Sequence, residues 1–267
     1  MERKNAVAVI TARGGSKRIP HKNIKEFCGR PIIEYSIEAA LKSGVFDEVM
    51  VSTDDEEIAE IAKRAGAAVP FYRSREAAGD YAATHEVILE VLEEYEKRGV
   101  TFEKVCCIYP TAPFLTAEVL RESMERLEQT GADGVVPVVA YSSPPQRCFV
   151  IEQDRVKYKW EENRLKRSQD LERYYHDCGQ FYLLRVEAFR KERSMVLHNT
   201  IPYIMDEMKV QDIDTPEDWK TVVNIGERQC YMTFASVELS GITTRIVRFR
   251  DVNRAQANDS NMRRLLH

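Results

Sequence analysis

Residues 7–23 read VAVITARGGSKRIPHKN, and the division of this stretch decides the fold. Val7–Ile10 is short, apolar and β-branched, the pattern of a buried strand. From Thr11 onward the chain turns polar and basic around Gly14-Gly15. Residues 31–43, PIIEYSIEAALKS, then place Ile33, Ile37, Ala40 and Leu41 at helical spacing, with Pro31 suited to a first turn. A strand, a glycine-containing basic loop and a helix are the opening of a βαβ unit.

The alternation continues outward from there. Val49–Ser52 is expected as a second strand, followed by Thr53-Asp54-Asp55 and a helix over Glu56–Ala65 that stops at Gly66. Ala68–Tyr72 is expected as a third strand, His85–Arg98 as a helix and Val105–Tyr109 as a fourth strand. Thr116 suits the cap of a helix over 117–129, and Val135–Val139 is a fifth strand. This rhythm predicts a parallel sheet covered by helices on both faces. Such sheets bind ligands at the carboxyl ends of their strands. The polar loops 11–23, 53–55 and 109–113 should therefore gather at one edge.

After residue 140 the rhythm changes. Residues 148–160 read as a hairpin turning at Gln153-Asp154, residues 167–178 are polar and aromatic, and Gln180–Leu184 is another strand. Residues 141–182 thus look like an insertion that leaves the sheet and returns. Lys209–Ile213 reads as a late strand running into Asp214-Thr215-Pro216-Glu217-Asp218-Trp219, where Thr215 suits a helix cap and Pro216 the first helical position. The organisation expected is one domain over 1–228 and an extension over 229–267. The extension carries six arginines and could add a strand near 243–249. No function is read from it.

The 267 residues carry 39 Lys and Arg against 43 Asp and Glu, a formal charge of −4. That balance argues against a general nucleic-acid binder, so any attraction for an anion must come from a local basic cluster. No stretch approaches the roughly 20 apolar residues of a membrane helix. The opening apolar run is broken by Thr11 and Arg13, unlike a secretory leader. None of the six cysteines forms a CxxC pair, and Cys106 and Cys107 lie inside an apolar run, as reduced core residues of a cytoplasmic protein would.

Four groups of residues could carry chemistry. In Arg13-Gly14-Gly15-Ser16-Lys17-Arg18, with Lys22 beyond, glycines let backbone N–H groups approach phosphate oxygens while cations neutralise charge. The loop is neither a Walker loop nor GxGxxG. A solvated basic turn is the alternative, and the position after the first strand favours phosphate binding. In Asp212-Ile213-Asp214, residues i and i+2 of a strand share a face. Two adjacent carboxylates repel unless a cation intervenes, and Mg²⁺ in a phosphate site takes one or two carboxylates. The alternative assigns Asp214 to helix capping and Asp212 to solvent. Asp54-Asp55 reads as helix initiation. Arg167-Ser168-Gln169-Asp170 through His176 is rich enough in donors to recognise a carboxylate and hydroxyls, or is a solvated loop; His176 reads as structural.

ITARGGSKRIPHKN (10–23) resembles the signature of the cytidylyltransferases that activate nonulosonic, sialic-type acids. VSTDDEEIAEIAKRAGA (51–67), YPTAPF (109–114) and QDIDTPEDW (211–219) fall where that family has its later motifs. RSQDLERYYHDCGQFY (167–182) resembles the branch that makes CMP-pseudaminic acid. The resemblance spans about residues 6–227.

It implies a Rossmann-like nucleotidyltransferase fold in three α/β/α layers with a mostly parallel sheet. It also implies CTP and a nonulosonic acid as substrates, Mg²⁺ as cofactor, and a homodimer formed through the insertion. The anomeric hydroxyl of the sugar acid would attack the α-phosphorus of CTP, and pyrophosphate would leave. Carried onto this chain, Arg13, Ser16 and Lys22 would hold the triphosphate, Asn23, Arg73 and Thr84 would surround cytosine and ribose, and Asp212 and Asp214 would hold the metal. Arg13, Lys22 and Asp214 are the expected catalytic residues. Gln169 and Tyr182 lie in the region facing the sugar acid. Positioning and charge neutralisation suffice for such a transfer, so no nucleophilic Ser or Cys is needed. A sialic-acid synthetase reads QPTSP where this chain has Tyr109-Pro110-Thr111-Ala112-Pro113, which points away from N-acetylneuraminate. Legionaminic acid, N-acetylneuraminic acid and Kdo are alternative substrates. A catalytically silent nucleotide-binding module is the alternative of another class.

Overall fold

The structure, a computed structural model, describes residues 1–79 and 82–238, with side chains as far as Glu227. Its central strand is β1 (Glu2–Thr11). Ala6–Ile10 are fully buried because helices cover both faces of the strand, so every side chain finds apolar neighbours. Ala6, Ala8 and Ile10 pack against α1 (Ile33–Ser43), α2 (Glu56–Arg64) and α4 (Ala117–Thr130). Val7 and Val9 face α3 (Thr84–Lys97) and α5 (Val186–Glu192) on the other side. Three α/β/α layers result, in a Rossmann-like arrangement.

β1 pairs in parallel with β4 (Glu48–Ser52) and β5 (Val100–Ile108). The sheet runs β11-β6-β10-β5-β1-β4, where β6 is Gly134–Ala140, β10 Phe181–Arg185 and β11 Thr200–Ile204. β10 is antiparallel to both its neighbours, and β9 (Tyr175–Asp177) adds antiparallel to β6. The sheet is therefore mixed, where the alternation of elements predicted a parallel one. Of the insertion, β7 (Phe149–Glu152) and β8 (Arg155–Tyr158) form the expected hairpin. Gln153 and Asp154 both adopt positive φ, the turn that matches strand twist.

Three local expectations fail, and two elements were missed. Ala68–Tyr72 makes only one bridge, Ala68 to Met50. Lys209–Ile213 is no strand; a short 3-10 turn, Glu207–Lys209, precedes an unpaired extended segment. Pro31 lies not in the first turn of α1 but in a two-residue ribbon, β2 (Glu26–Phe27) with β3 (Arg30–Pro31). β11 and α5 were not legible as elements; Pro202 in β11 is tolerated because the strand is at the sheet edge. The first compact unit of the chain is Met1–Val223, and α6 (Pro216–Glu238) begins inside it. The strand considered near 243–249 falls outside the described residues.

Candidate active site

The loops after β1, β4 and β5 do meet at one sheet edge. They enclose a cavity of about 580 Å³ lined by Arg13, Ser16, Lys22, Asn23, Arg73, Thr84, Asp212 and Asp214, eight of the ten residues singled out from sequence. Lys17, Arg18, Tyr109 and Thr111 line it too and were not singled out. Lys17 and Arg18 were visible as part of the basic loop. Tyr109 showed as the end of a strand and as the first residue of the YPTAPF motif, without a role of its own.

The basic loop is held both by its neighbours and by its own hydrogen bonds. Ala12 N–H donates to the Ser52 carbonyl at 3.0 Å, and Gly14 N–H to Asp54 Oδ1 at 3.0 Å. Asn23 Nδ2 donates to the Arg13 carbonyl at 2.9 Å, closing the loop on itself. A side chain on Gly14 would put its Cβ 2.7 Å from Asp55 Oδ2, so only glycine fits here. Asp55 caps α2 by accepting from Ile58 N–H, as helix initiation required, while Asp54 turns back to brace the loop.

Arg73 is buried and anchored at the end of β4, with Nε on Ser52 Oγ at 3.0 Å and Nη2 on the Ser52 carbonyl at 2.7 Å. Burial lowers its pKa, opposed by the charge of Asp54. A buried guanidinium on a cavity wall is costly to hold without an anionic partner.

The carboxylate pair arises from one apolar anchor. Ile213 is fully buried, and the residues on either side of it turn out to the cavity. Asp214 Oδ1 lies 3.0 Å from Arg18 Nη2 and 3.6 Å from Lys22 Nζ. Lys22 Nζ also donates to the Ile213 carbonyl at 2.6 Å. Asp214 is not the helix cap: Asp218 accepts from Asp214 N–H, Thr215 N–H and the Thr215 hydroxyl, and its own N–H donates to Thr215 Oγ1. The carboxyl of Asp212 is reachable from the cleft, yet lost hydration raises its pKa, with the charge of Asp214 second. A divalent cation would relieve that repulsion. No group of three or more His, Cys, Asp or Glu side chains suited to a metal forms among the described residues. Two carboxylates on the wall of a cavity lined by cations nevertheless fit the ligation of Mg²⁺, which takes one or two carboxylates.

Two residues singled out from sequence do not line the cavity. Tyr182 is buried one layer behind it, its ring edge-on to Tyr109 with centroids 5.8 Å apart. Gln169 is exposed in a 3-10 turn, Ser168–Asp170, far along the insertion; Arg167 there pairs with Asp170, not with a ligand. His176 is exposed on β9 against the Tyr141 ring. Cys106 and Cys107 are core residues, and burial pushes the Cys107 thiol up to about 12.

A Rossmann-like sheet whose first loop is basic and whose last carries a carboxylate pair defines a nucleotidyltransferase. The chain matches the family described as cytidylyltransferase over residues 7–229, and it belongs to that family. It is 39% identical over 213 residues to a pseudaminic acid cytidylyltransferase of Campylobacter jejuni, covering 79% of this chain and 92% of that one. It is 34% identical over 220 residues to the CMP-N,N'-diacetyllegionaminic acid synthase of Legionella pneumophila, covering 80% and 92%. In structure it is similar to CMP:2-keto-3-deoxy-manno-octonic acid synthetase complexed with CTP, with a TM-score of 0.61 and 19% identity over 85% of this chain and all of that one. At that identity the likeness speaks for the fold. No helix among the described residues is long and apolar enough to cross a membrane.

Proposed function

We propose that this chain transfers CMP from CTP to the anomeric hydroxyl of pseudaminic acid, releasing pyrophosphate, in the cytoplasm. One observation carries the reading: five cations, Arg13, Lys17, Arg18, Lys22 and Arg73, share a single cavity with Asp212 and Asp214. An acidic protein needs such a local cluster to hold a triphosphate. The likeness to the Campylobacter enzyme over 79% of this chain supports pseudaminic acid as the acceptor. The Legionella relative keeps a legionaminic acid as the second reading.

In this reading Arg13, Ser16 and Lys22 bind the triphosphate, and Asn23, Arg73 and Thr84 surround cytosine and ribose. The attacking hydroxyl gives its proton to solvent as the new O–P bond forms, and the bond from the α-phosphorus to pyrophosphate breaks. Arg13 and Lys22 stay with the negative charge that moves onto the leaving group. Asp212 and Asp214 would hold Mg²⁺, which supplies charge neutralisation at the phosphate oxygens. The protein acts as a homodimer through its insertion, where Phe149, Ile151 and Val156 are exposed. That arrangement would bring Gln169 toward a partner's sugar site.

The test is a pyrophosphate-release assay with CTP and Mg²⁺ across a panel of nonulosonic acids and Kdo. Turnover with pseudaminic acid well above the others is expected. Preference for a legionaminic acid would transfer the assignment to the second reading, and silence with every acid would leave a nucleotide-binding module.

A further inference from the structure

We infer that Asp177 is a positioning residue that sets the sugar-facing wall of the cavity by holding Tyr182 against Tyr109. The inference deepens the functional reading above and rests on it. Among the described residues lining the cavity, Tyr109 is the one aromatic ring. It directly follows β5, and in the sheet order β10-β5-β1-β4 that places it toward β10 and the end of the insertion, away from Arg73, which is anchored at the end of β4. The ring's hydroxyl meets Thr84 Oγ1 at a long 3.4 Å and also hydrogen-bonds the hydroxyl of Tyr182. The ring is held from behind, by the edge of Tyr182.

Tyr182 is buried on β10, and its hydroxyl donates to Asp177 Oδ2 while also meeting the Tyr109 hydroxyl. The other oxygen of the same carboxylate, Oδ1, accepts from Gly179 N–H at 2.8 Å. Asp177 belongs to β9 and is itself exposed, yet both its oxygens are turned inward. The turn it caps fills the gap between wall and carboxylate pair. Gly179 has φ +59°, and a Cβ there would lie 3.8 Å from both the Tyr109 ring and the Asp212 carboxyl. One carboxylate at the end of the insertion therefore fixes two things at once: the phenol that backs Tyr109 and the turn that separates Tyr109 from Asp212. A rigid aromatic face offers an acid sugar apolar contact for its deoxygenated or N-acetylated carbons, which a loose ring would not provide.

The experiment is steady-state pyrophosphate release with pseudaminic acid and CTP varied in turn. It compares wild type, Asp177→Ala, Asp177→Asn, Tyr182→Phe and the Asp177→Ala/Tyr182→Phe double variant, each checked for a cooperative melt. Asp177→Ala and Tyr182→Phe should each raise KM for the acid about tenfold, the low end of one charge-assisted hydrogen bond, with KM for CTP within about twofold of wild type. Asp177→Asn keeps one of the two acceptor oxygens and should fall between wild type and Asp177→Ala. The double variant should fall short of additive, because both changes remove the bond between Asp177 and Tyr182. An unchanged KM for the acid, a shift in KM for CTP instead, an Asn variant as poor as Ala, or additive effects would each overturn the inference while an active wild type left the functional reading standing. An inactive wild type would sink both.

Discussion

Arg18 Nη2 sits 3.0 Å from Asp214 Oδ1, joining positions 196 residues apart in the chain. Both side chains are largely open to solvent, at 66% and 46% exposure, so the pair adds little to stability. Its consequence is local. It brings the first loop of the sheet against the last segment before α6, so that cations and carboxylates face one volume.

If that volume holds a triphosphate, Arg13 is the most sensitive cation. Its fork can bind two phosphate oxygens at once, which an ammonium cannot. Arg13→Lys should cost about 1.5–3 kcal/mol in kcat/KM for CTP despite keeping the charge. Steady-state kinetics with CTP varied check this, and wild-type values in Arg13→Lys and Arg13→Ala would reduce the loop to a solvated turn.

The carboxylate pair predicts a requirement for a divalent cation. Asp214→Asn keeps shape and loses the charge, and turnover should fall by at least about 10²-fold. Excess EDTA should silence the wild type. Direct binding of Mn²⁺ to the unliganded protein, followed by its paramagnetic signal, should weaken in the same variant. Full activity in EDTA would remove the metal from the mechanism.

Gly14→Ala should damage the loop and α2 together, because the new methyl meets Asp55, the cap of that helix. Loss of a cap costs about 1 kcal/mol, so Tm should drop by about 2–4 °C. KM for CTP should rise in parallel. A variant with unchanged Tm and KM would mean that Asp55 moves aside freely.

Asp218 holds Asp214 in place through its backbone. Burial alone would raise its carboxyl, but the hydrogen bonds from Asp214 and Thr215 prevail and its pKa is lowered. A carboxylate lowered on folding stabilises the protein fully above its ordinary value of 3.8, and that stability is lost as the pH falls below it. Asp218→Ala should therefore lower Tm at pH 7 and flatten the fall in stability below about pH 4, relative to wild type. Melts of both proteins from pH 3 to 7 test this. Parallel curves would show that Asp218 contributes nothing.

The insertion exposes Tyr141, Phe149, Ile151, Val156, Trp160, Tyr174 and Tyr175. Aromatics at this density suit the core of an interface. Sedimentation at micromolar concentration should show a dimer, and Ile151→Asp with Val156→Asp should yield a folded monomer. A wild-type monomer would assign these side chains to another role.

Local order was written into the chain where one signal was sufficient. The Val7–Ile10 run, the cap at Thr116 and the turn at Gln153-Asp154 depend on neighbours in sequence, and all three appear as expected. The basic loop was legible for the same reason, since glycines and cations after a strand reach the sheet edge whatever lies beside them. Strand direction was not. β10 looks in sequence like any buried apolar run, and only its partners β5 and β6 make it antiparallel. Val210 and Ile213 imitate a strand, but the segment joins no sheet among the described residues. The two aspartates nevertheless came together, because burying Ile213 turns both outward. What only the tertiary structure decided was which distant side chains meet: Arg18 with Asp214, Gly14 against Asp55, and Asp177 on Tyr182 behind Tyr109. Each meeting depends on how strands and loops far apart in the chain are brought together by the sheet, and no spacing in the sequence encodes that.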